Sequence, residues 1–238
     1  MSANSRESPM PFPPNVHVLR VVLPITLLLA SCSSSESSRT VETATVASYG
    51  TNYSGPKYPL SVGRFSNASP YLRGIFSDGE DRLGNQAKTI LQTHLTQTGR
   101  FDLLDRENMT ALRQESELSG QAQTLVGAEL VLTGQVTEFG RKTTGDEQLF
   151  GVLGRGKKQT AYSKVSINVV DVATSKVVYA VQGAGEYALS DREVIGFGST
   201  SGYDATLSDK VLNLSITDAV NKLVAGLERG EWKPTARN

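Results

Sequence analysis

Gly127-Ala-Glu-Leu-Val-Leu-Thr-Gly-Gln-Val-Thr-Glu-Phe139 and its return Val165-Ser-Ile-Asn-Val-Val-Asp171 decide the fold. Leu132 and Val136 fall on one face, and Val165, Ile167 and Val169 alternate with Ser166 and Asn168. Period-two alternation marks strands half buried against an apolar layer. The two runs read as a β-hairpin, and the charged, glycine-broken stretch between them as its connection.

On the C-terminal side, Ala173-Thr and Ser175-Lys make a turn into Val177-Val-Tyr-Ala-Val181, a strand that pairs with Val165–Val172. A glycine-rich polar segment, Gly183–Asp204, follows. Leu212, Ile216, Ala219, Val220, Leu223 and Leu227 have helical spacing and end before Gly230 and Pro234. The opposite face, with Asn213, Asp218, Asn221 and Lys222, reads as solvated.

On the N-terminal side, Phe101–Asp105 is a short strand, and Asp105 can cap a helix carrying Met109 and Leu112. Ser77 and Glu80 have capping-box spacing ahead of the stripe Leu83, Ala87, Ile90, Leu91 and Leu95, which stops at Gly99. Tyr58–Phe65 supplies the first strand. This order of elements predicts one α/β (α+β) domain: a mixed sheet with flanking helices.

Equal numbers of Lys+Arg and Asp+Glu, 24 each, leave no field that draws the chain to nucleic acid. The single cysteine, Cys32, excludes a disulfide framework and a cysteine-rich metal site. His17 and Arg20 precede Val21–Ala30, an apolar run of signal-peptide length and too short to span a bilayer. Leu29-Ala-Ser-Cys32 then resembles the bacterial lipobox. Cleavage after Ser31 would leave Cys32 to carry a diacylglycerol on its thiol and a further acyl chain, such as palmitate, on its amine. Such a set of chains gives stable membrane attachment. By the lipoprotein sorting pattern, Ser33 in place of aspartate favours the outer membrane. Residues 1–31 thus read as a signal peptide, 32–56 as a disordered Ser/Thr-rich tether, 57–232 as the folded domain and 233–238 as a tail.

Arg100-Phe-Asp-Leu-Leu-Asp-Arg-Glu-Asn108, Gly127–Gly134, Val165–Asp171 with Thr174, and Ala219-Val-Asn-Lys-Leu-Val224 with Trp232 resemble, as an ordered set, the CsgG-type lipoproteins of curli secretion and holdfast assembly. The resemblance covers roughly Lys57 to Trp232. It implies a lipid-anchored periplasmic α/β domain that assembles as a homo-oligomeric ring, works with secreted fibre or holdfast proteins, and needs no cofactor. In the curli member two hairpins extend into a membrane barrel; the corresponding segments here are Gly140–Ala161 and Gly183–Leu207. A membrane strand needs about nine to eleven residues with an outward apolar band. Arg141, Lys142, Asp146, Glu147, Arg155, Lys157 and Lys158 crowd the first segment, leaving Leu149, Phe150, Val152 and Leu153 as its candidate membrane or contact residues. Glu186, Asp191, Arg192, Glu193 and Asp204 crowd the second. The charges favour a hairpin that stays outside the bilayer. The family's constriction loop would lie near Gly74–Glu80, without the curli loop's aromatic-asparagine pattern. Lipoproteins that activate peptidoglycan synthases share a related domain and a similar tether, which is the alternative reading.

Other motifs lead to no enzyme. Gly151-Val-Leu-Gly-Arg-Gly-Lys-Lys158 nearly spells a P-loop, but Lys158 stands where the magnesium-binding hydroxyl belongs and a strand follows. Gly196-Phe-Gly-Ser-Thr-Ser-Gly202 has the wrong spacing for a dinucleotide loop. His94, beside Ile90, Leu91 and Leu95, reads as helix packing rather than a metal ligand or catalytic base. Glu186, Asp191 and Glu193 read as an exposed charged loop rather than an acid/base pair, and Arg155–Lys158 as a solvated hairpin tip. Neither a metal nor a cofactor is expected.

Overall fold

The computed structural model describes residues 43–71, 79–147, 155–193 and 205–234. Its elements are β1 (Tyr58–Asn67), α1 (Arg82–Thr98), β2 (Phe101–Leu104), α2 (Met109–Ser119), β3 (Leu130–Glu147), β4 (Arg155–Asp171), β5 (Val177–Glu193) and α3 (Ala205–Glu228). They form one five-stranded sheet in the order β2-β1-β3-β4-β5. β1 runs parallel to both β2 and β3, and β3, β4 and β5 form an antiparallel meander. This is the predicted mixed sheet of an α+β domain. No helix among the described residues is long and apolar enough to cross a membrane.

The hairpin that anchors the sequence reading is the centre of the core. Leu130, Leu132 and Val136 on β3 and Val165, Ile167 and Val169 on β4 are fully buried. Leu91 and Leu95 of α1, and Leu212, Ile216 and Leu223 of α3, cover the same face of the sheet. A fully buried leucine or isoleucine contributes about 1.5–3 kcal/mol relative to its exposed state, so these side chains carry most of the layer's cohesion. At the base, Trp232 is stacked between Phe101 and Tyr179, with centroid distances of 6.2 and 5.8 Å. Its indole N–H donates to the Leu223 carbonyl at 3.2 Å, which pins the chain after α3.

The start of α1 differs from the capping-box reading. Ser77 lies outside the described residues, and Asp81 is the cap: one carboxylate oxygen accepts from the Gly84 amide at 2.8 Å and the other from the Asn67 amide at 2.6 Å. One side chain therefore starts the helix and closes the end of β1. Gly99, at φ 64°, ends it in the left-handed conformation that favours glycine.

Three boundaries are corrected. The folded part begins before Lys57, because Val46 is buried in the core cluster and the Ala47 amide donates to Asn221 Oδ1 on α3 at 2.9 Å. A lone valine in a Ser/Thr-rich run carries little hydropathic signal, so its burial was not legible. The hairpin connection is also far shorter than Gly140–Ala161, since β3 continues to Glu147 and β4 starts at Arg155. Likewise Gly183–Glu193 is not loop but the second half of β5.

The glycines of β5 have a packing reason. A Cβ at Gly183 would lie 2.1 Å from the Ser215 carbonyl and 2.6 Å from the Ala219 nitrogen; one at Gly185 would lie 2.8 Å from the Val211 carbonyl. The backbone of α3 rests directly on the strand there, which is what strand glycines permit. Gly183→Ala is therefore expected to lower unfolding free energy by about 1–3 kcal/mol through overpacking, whereas Ala180→Ser, on the exposed side, should stay within roughly 0.5 kcal/mol. Urea denaturation of both variants checks this.

Candidate functional site

β1 pairs with β3 only as far as Asn67 opposite Val136. Beyond that level, among the described residues, β3, β4 and β5 continue as a three-stranded ribbon, described as far as Glu147, Arg155 and Glu193. The charges that argued against strands occupy facing register positions. Glu147 lies opposite Arg155, and Arg155 opposite Glu193; Lys157 lies opposite Asp191. Glu186, Asp191 and Glu193 are therefore not an exposed loop: all three are β5 positions.

By register and sequence, the β3 and β4 positions of the ribbon are mostly polar on both alternations. One runs Lys142, Thr144, Asp146 on β3 against Thr160, Lys158, Gly156 on β4; the other runs Thr143, Gly145, Glu147 against Gln159, Lys157, Arg155. At the root of the ribbon the inner face is still covered, with Phe139 buried against Tyr71 at a centroid distance of 4.7 Å. Of the residues expected to contact a membrane or partner, Leu149, Phe150, Val152 and Leu153 lie outside the described residues, as do Ser31 and Cys32. The near-P-loop is split: Arg155–Lys158 belongs to β4, and Gly151–Gly154 lies outside the described residues, as does Gly196–Gly202.

A second feature is the strap that leads into β1. Arg100, 5% exposed, sits between the strap and the end of α3. Its Nε and Nη2 donate to Glu228 Oε1 at 3.1 and 2.9 Å. Its Nη1 donates to the carbonyls of Ser48, Thr51 and Thr98 at 3.3, 3.4 and 2.6 Å. The guanidinium also lies 5.0 Å from the centroid of the Tyr53 ring. One planar cation thus satisfies three backbone carbonyls and one carboxylate, which a lysine could not do. Sequence reasoning placed Arg100 in a family-like motif without seeing this clasp.

His94 is buried, as expected of a packing residue. Nδ1 lies 3.1 Å from Gln97 Oε1, and Nε2 contacts Asn213 Oδ1 and, at 3.1 Å, Thr217 Oγ1. The histidine therefore ties α1 to α3. Asn213 and Asn221 are half-buried rather than solvated, because each has a bonding partner across an interface. Thr89, Thr93, His94, Gln97, Asp209 and Asn213 line a shallow cavity of about 210 Å³. Among the described residues no group of His, Cys, Asp or Glu could hold a metal ion.

α2 has no buried residue, and Leu112 and Leu118 are exposed. Asp105 is not the cap that the sequence suggests: Asn108 is the N-cap and makes no side-chain cap bond, while Asp105 orders the turn ahead of it. Asp105 Oδ1 accepts from the Glu107 and Asn108 amides at 2.9 and 3.2 Å, and Asn108 Nδ2 donates to Oδ2 at 2.7 Å. The side-chain bond from Asn108 comes first, with the Asn108 and Glu107 amides also contributing, in holding this carboxyl below the usual carboxylate range.

The family model described as "Curli production assembly/transport component CsgG" matches residues 44–237. A candidate lipoprotein of Neisseria meningitidis serogroup B, NMB1126/NMB1164, is 62% identical over 206 residues, covering 87% of this chain and 92% of that protein. Among solved structures, lipoprotein GNA1162 from Neisseria meningitidis has a TM-score of 0.34 at 15% identity, covering 71% of this chain and 99% of that one. A PelC dodecamer from Paraburkholderia phytofirmans has a TM-score of 0.30 at 14% identity, covering 79% and 95%.

Arg100→Ala removes the clasp. It is expected to cost about 1–3 kcal/mol, the range for buried groups left unpaired, because Glu228 is half in water and screens part of the loss. Limited proteolysis should then open the strap near Tyr49 first, and Arg100→Lys should not restore protection. For Asp105 the sign follows from its lowered folded value: its contribution is full above the ordinary carboxylate pKa and is lost as pH falls through the lowered one. Amide shifts of Glu107 and Asn108 are expected to follow that acid titration by NMR, and Asp105→Asn to abolish the dependence.

Proposed function

Since the chain belongs to the CsgG family of curli production assembly/transport components, we propose that it is a lipid-anchored protein on the periplasmic face of the outer membrane. Its role is assembly or secretion of a surface polymer, a curli-like fibre or a holdfast, as a subunit of a homo-oligomer. The observation that carries this reading is the family match over residues 44–237. The lipobox Leu29-Ala-Ser-Cys32 supplies the anchor on Cys32, and the 62% identical relative, described as a candidate lipoprotein, supports it.

The role is non-catalytic, and the parts divide accordingly. The acylated Cys32 attaches the chain, and the Arg100 clasp fixes where the tether joins the body. The β3 and β4 positions of the ribbon are mostly polar; the apolar run Leu149–Leu153 between β3 and β4 is the part suited to touching lipid or a client. Among the described residues, β3 past Val136 has no strand on its β1 side and β5 is an edge strand. Such edges are where copies of a subunit or an extended client can join.

Membrane fractionation tests the anchor: the native chain should sediment with outer membranes and Cys32→Ala should be released by osmotic shock. Light scattering of the detergent-extracted native protein should give a multiple of the mature mass. A monomer in both forms, or selective retention of penicillin-binding proteins in a pull-down, would overturn the reading.

A further inference from the structure

The long edge of β5 is not uniformly open. Ala184 pairs with Lys164 on β4, yet its amide N–H points the other way and donates to Asp218 Oδ2 of α3 at 3.0 Å. Two residues earlier the Gln182 carbonyl accepts from Lys222 Nζ at 2.9 Å. Asp218 and Lys222 are themselves joined at 2.8 Å, one helical turn apart. The helix thus presents a carboxylate to an outward amide and an ammonium to an outward carbonyl. These are an acceptor and a donor in the places where an added strand would bring its own carbonyl and amide.

We propose that Asp218 and Lys222 guard the edge of β5, closing Gln182–Ala184 to strand addition. Outward-facing positions alternate along an antiparallel edge. A strand arriving beside Gln182–Ala184 therefore meets a carboxylate and an ammonium where its own carbonyl and amide would bond. The guard can reach over the strand only because Gly183 and Gly185 let the α3 backbone rest on it. The pair is exposed, so its worth lies less in folding stability than in what it occupies. Unpaired strand edges are the usual templates for unwanted pairing, a hazard for a protein that handles fibre-forming clients.

The probe is a fluorescent peptide with the sequence Val165–Val170, a strand-former taken from β4, added to the full detergent-extracted protein. D218A/K222A is expected to bind it at least about tenfold more tightly than native protein, the scale of one regained hydrogen bond. Asp218→Asn, which keeps an oxygen for the Ala184 amide, should stay near native. Ala184→Pro in the double-alanine background should remove the gain, since proline has no amide hydrogen to offer. Equal peptide binding by native and D218A/K222A proteins of matching circular dichroism overturns the proposal. An independent readout uses the native chain alone: the Ala184 amide should exchange hydrogen about tenfold more slowly than the outward amide of Ala180. Equal exchange at the two positions would also overturn it, whether or not the variants fold.

Discussion

The fold depends on a steric allowance: two absent side chains, at Gly183 and Gly185, let the backbone of α3 lie against β5. With the helix seated there, Leu212, Ile216, Ala219, Val220 and Leu223 reach the sheet and are buried together with Val165, Ile167 and Val169. The same seating brings Asn213 to His94 on α1, so the two long helices are fastened to each other as well as to the strands. Raising α3 by the width of a methyl group would loosen all of these contacts at once, because close-packed interiors do not yield gradually. Packing at one strand thus controls both the core and the treatment of the sheet's edge.

Most of the architecture could be read from the chain, and the failures have a common cause. Alternating apolar residues in Val165–Val169 and the stripe from Leu83 to Leu95 have periods that only one kind of element satisfies, and both are where the periodicity places them. At Gly140 and Gly183, by contrast, glycine and charge read as turn signals, yet both lie within strands. Their reasons are non-local. Gly140 has the Tyr162 ring lying across it from the neighbouring strand, and Gly183 has a helix. The charges of the ribbon make sense only once Arg155 is known to lie opposite Glu147 and Glu193, a fact of register that no window along one strand contains.

The candidate site was legible in outline and not in mechanism. The lipobox, the family-like segments and the apolar run Leu149–Leu153 are properties of the sequence and stand as proposals about attachment and contact. Arg100 could be placed in a motif but not in a clasp, since its partners Ser48 and Glu228 are far away along the chain. Asp218 and Lys222 had the spacing of an ordinary helix-surface pair, and their second contacts, to the strand beneath, carry no signal in the helix itself. Acidic and basic residues that looked like solvated surface were bonded to backbone.

The strap gives the molecule a mechanical character. Any pull on the chain ahead of Thr43 enters the body along α3, meeting first the Ala47–Asn221 bond and the buried Val46, then the guanidinium that grips the Ser48 and Thr51 carbonyls. Those attachments come in sequence before the load can reach Tyr58 and the first residue of the sheet. The strap is thus a strain relief. A tug on the tether is spent on peripheral bonds that can re-form, and the strands whose register holds the domain together are not the first to carry it.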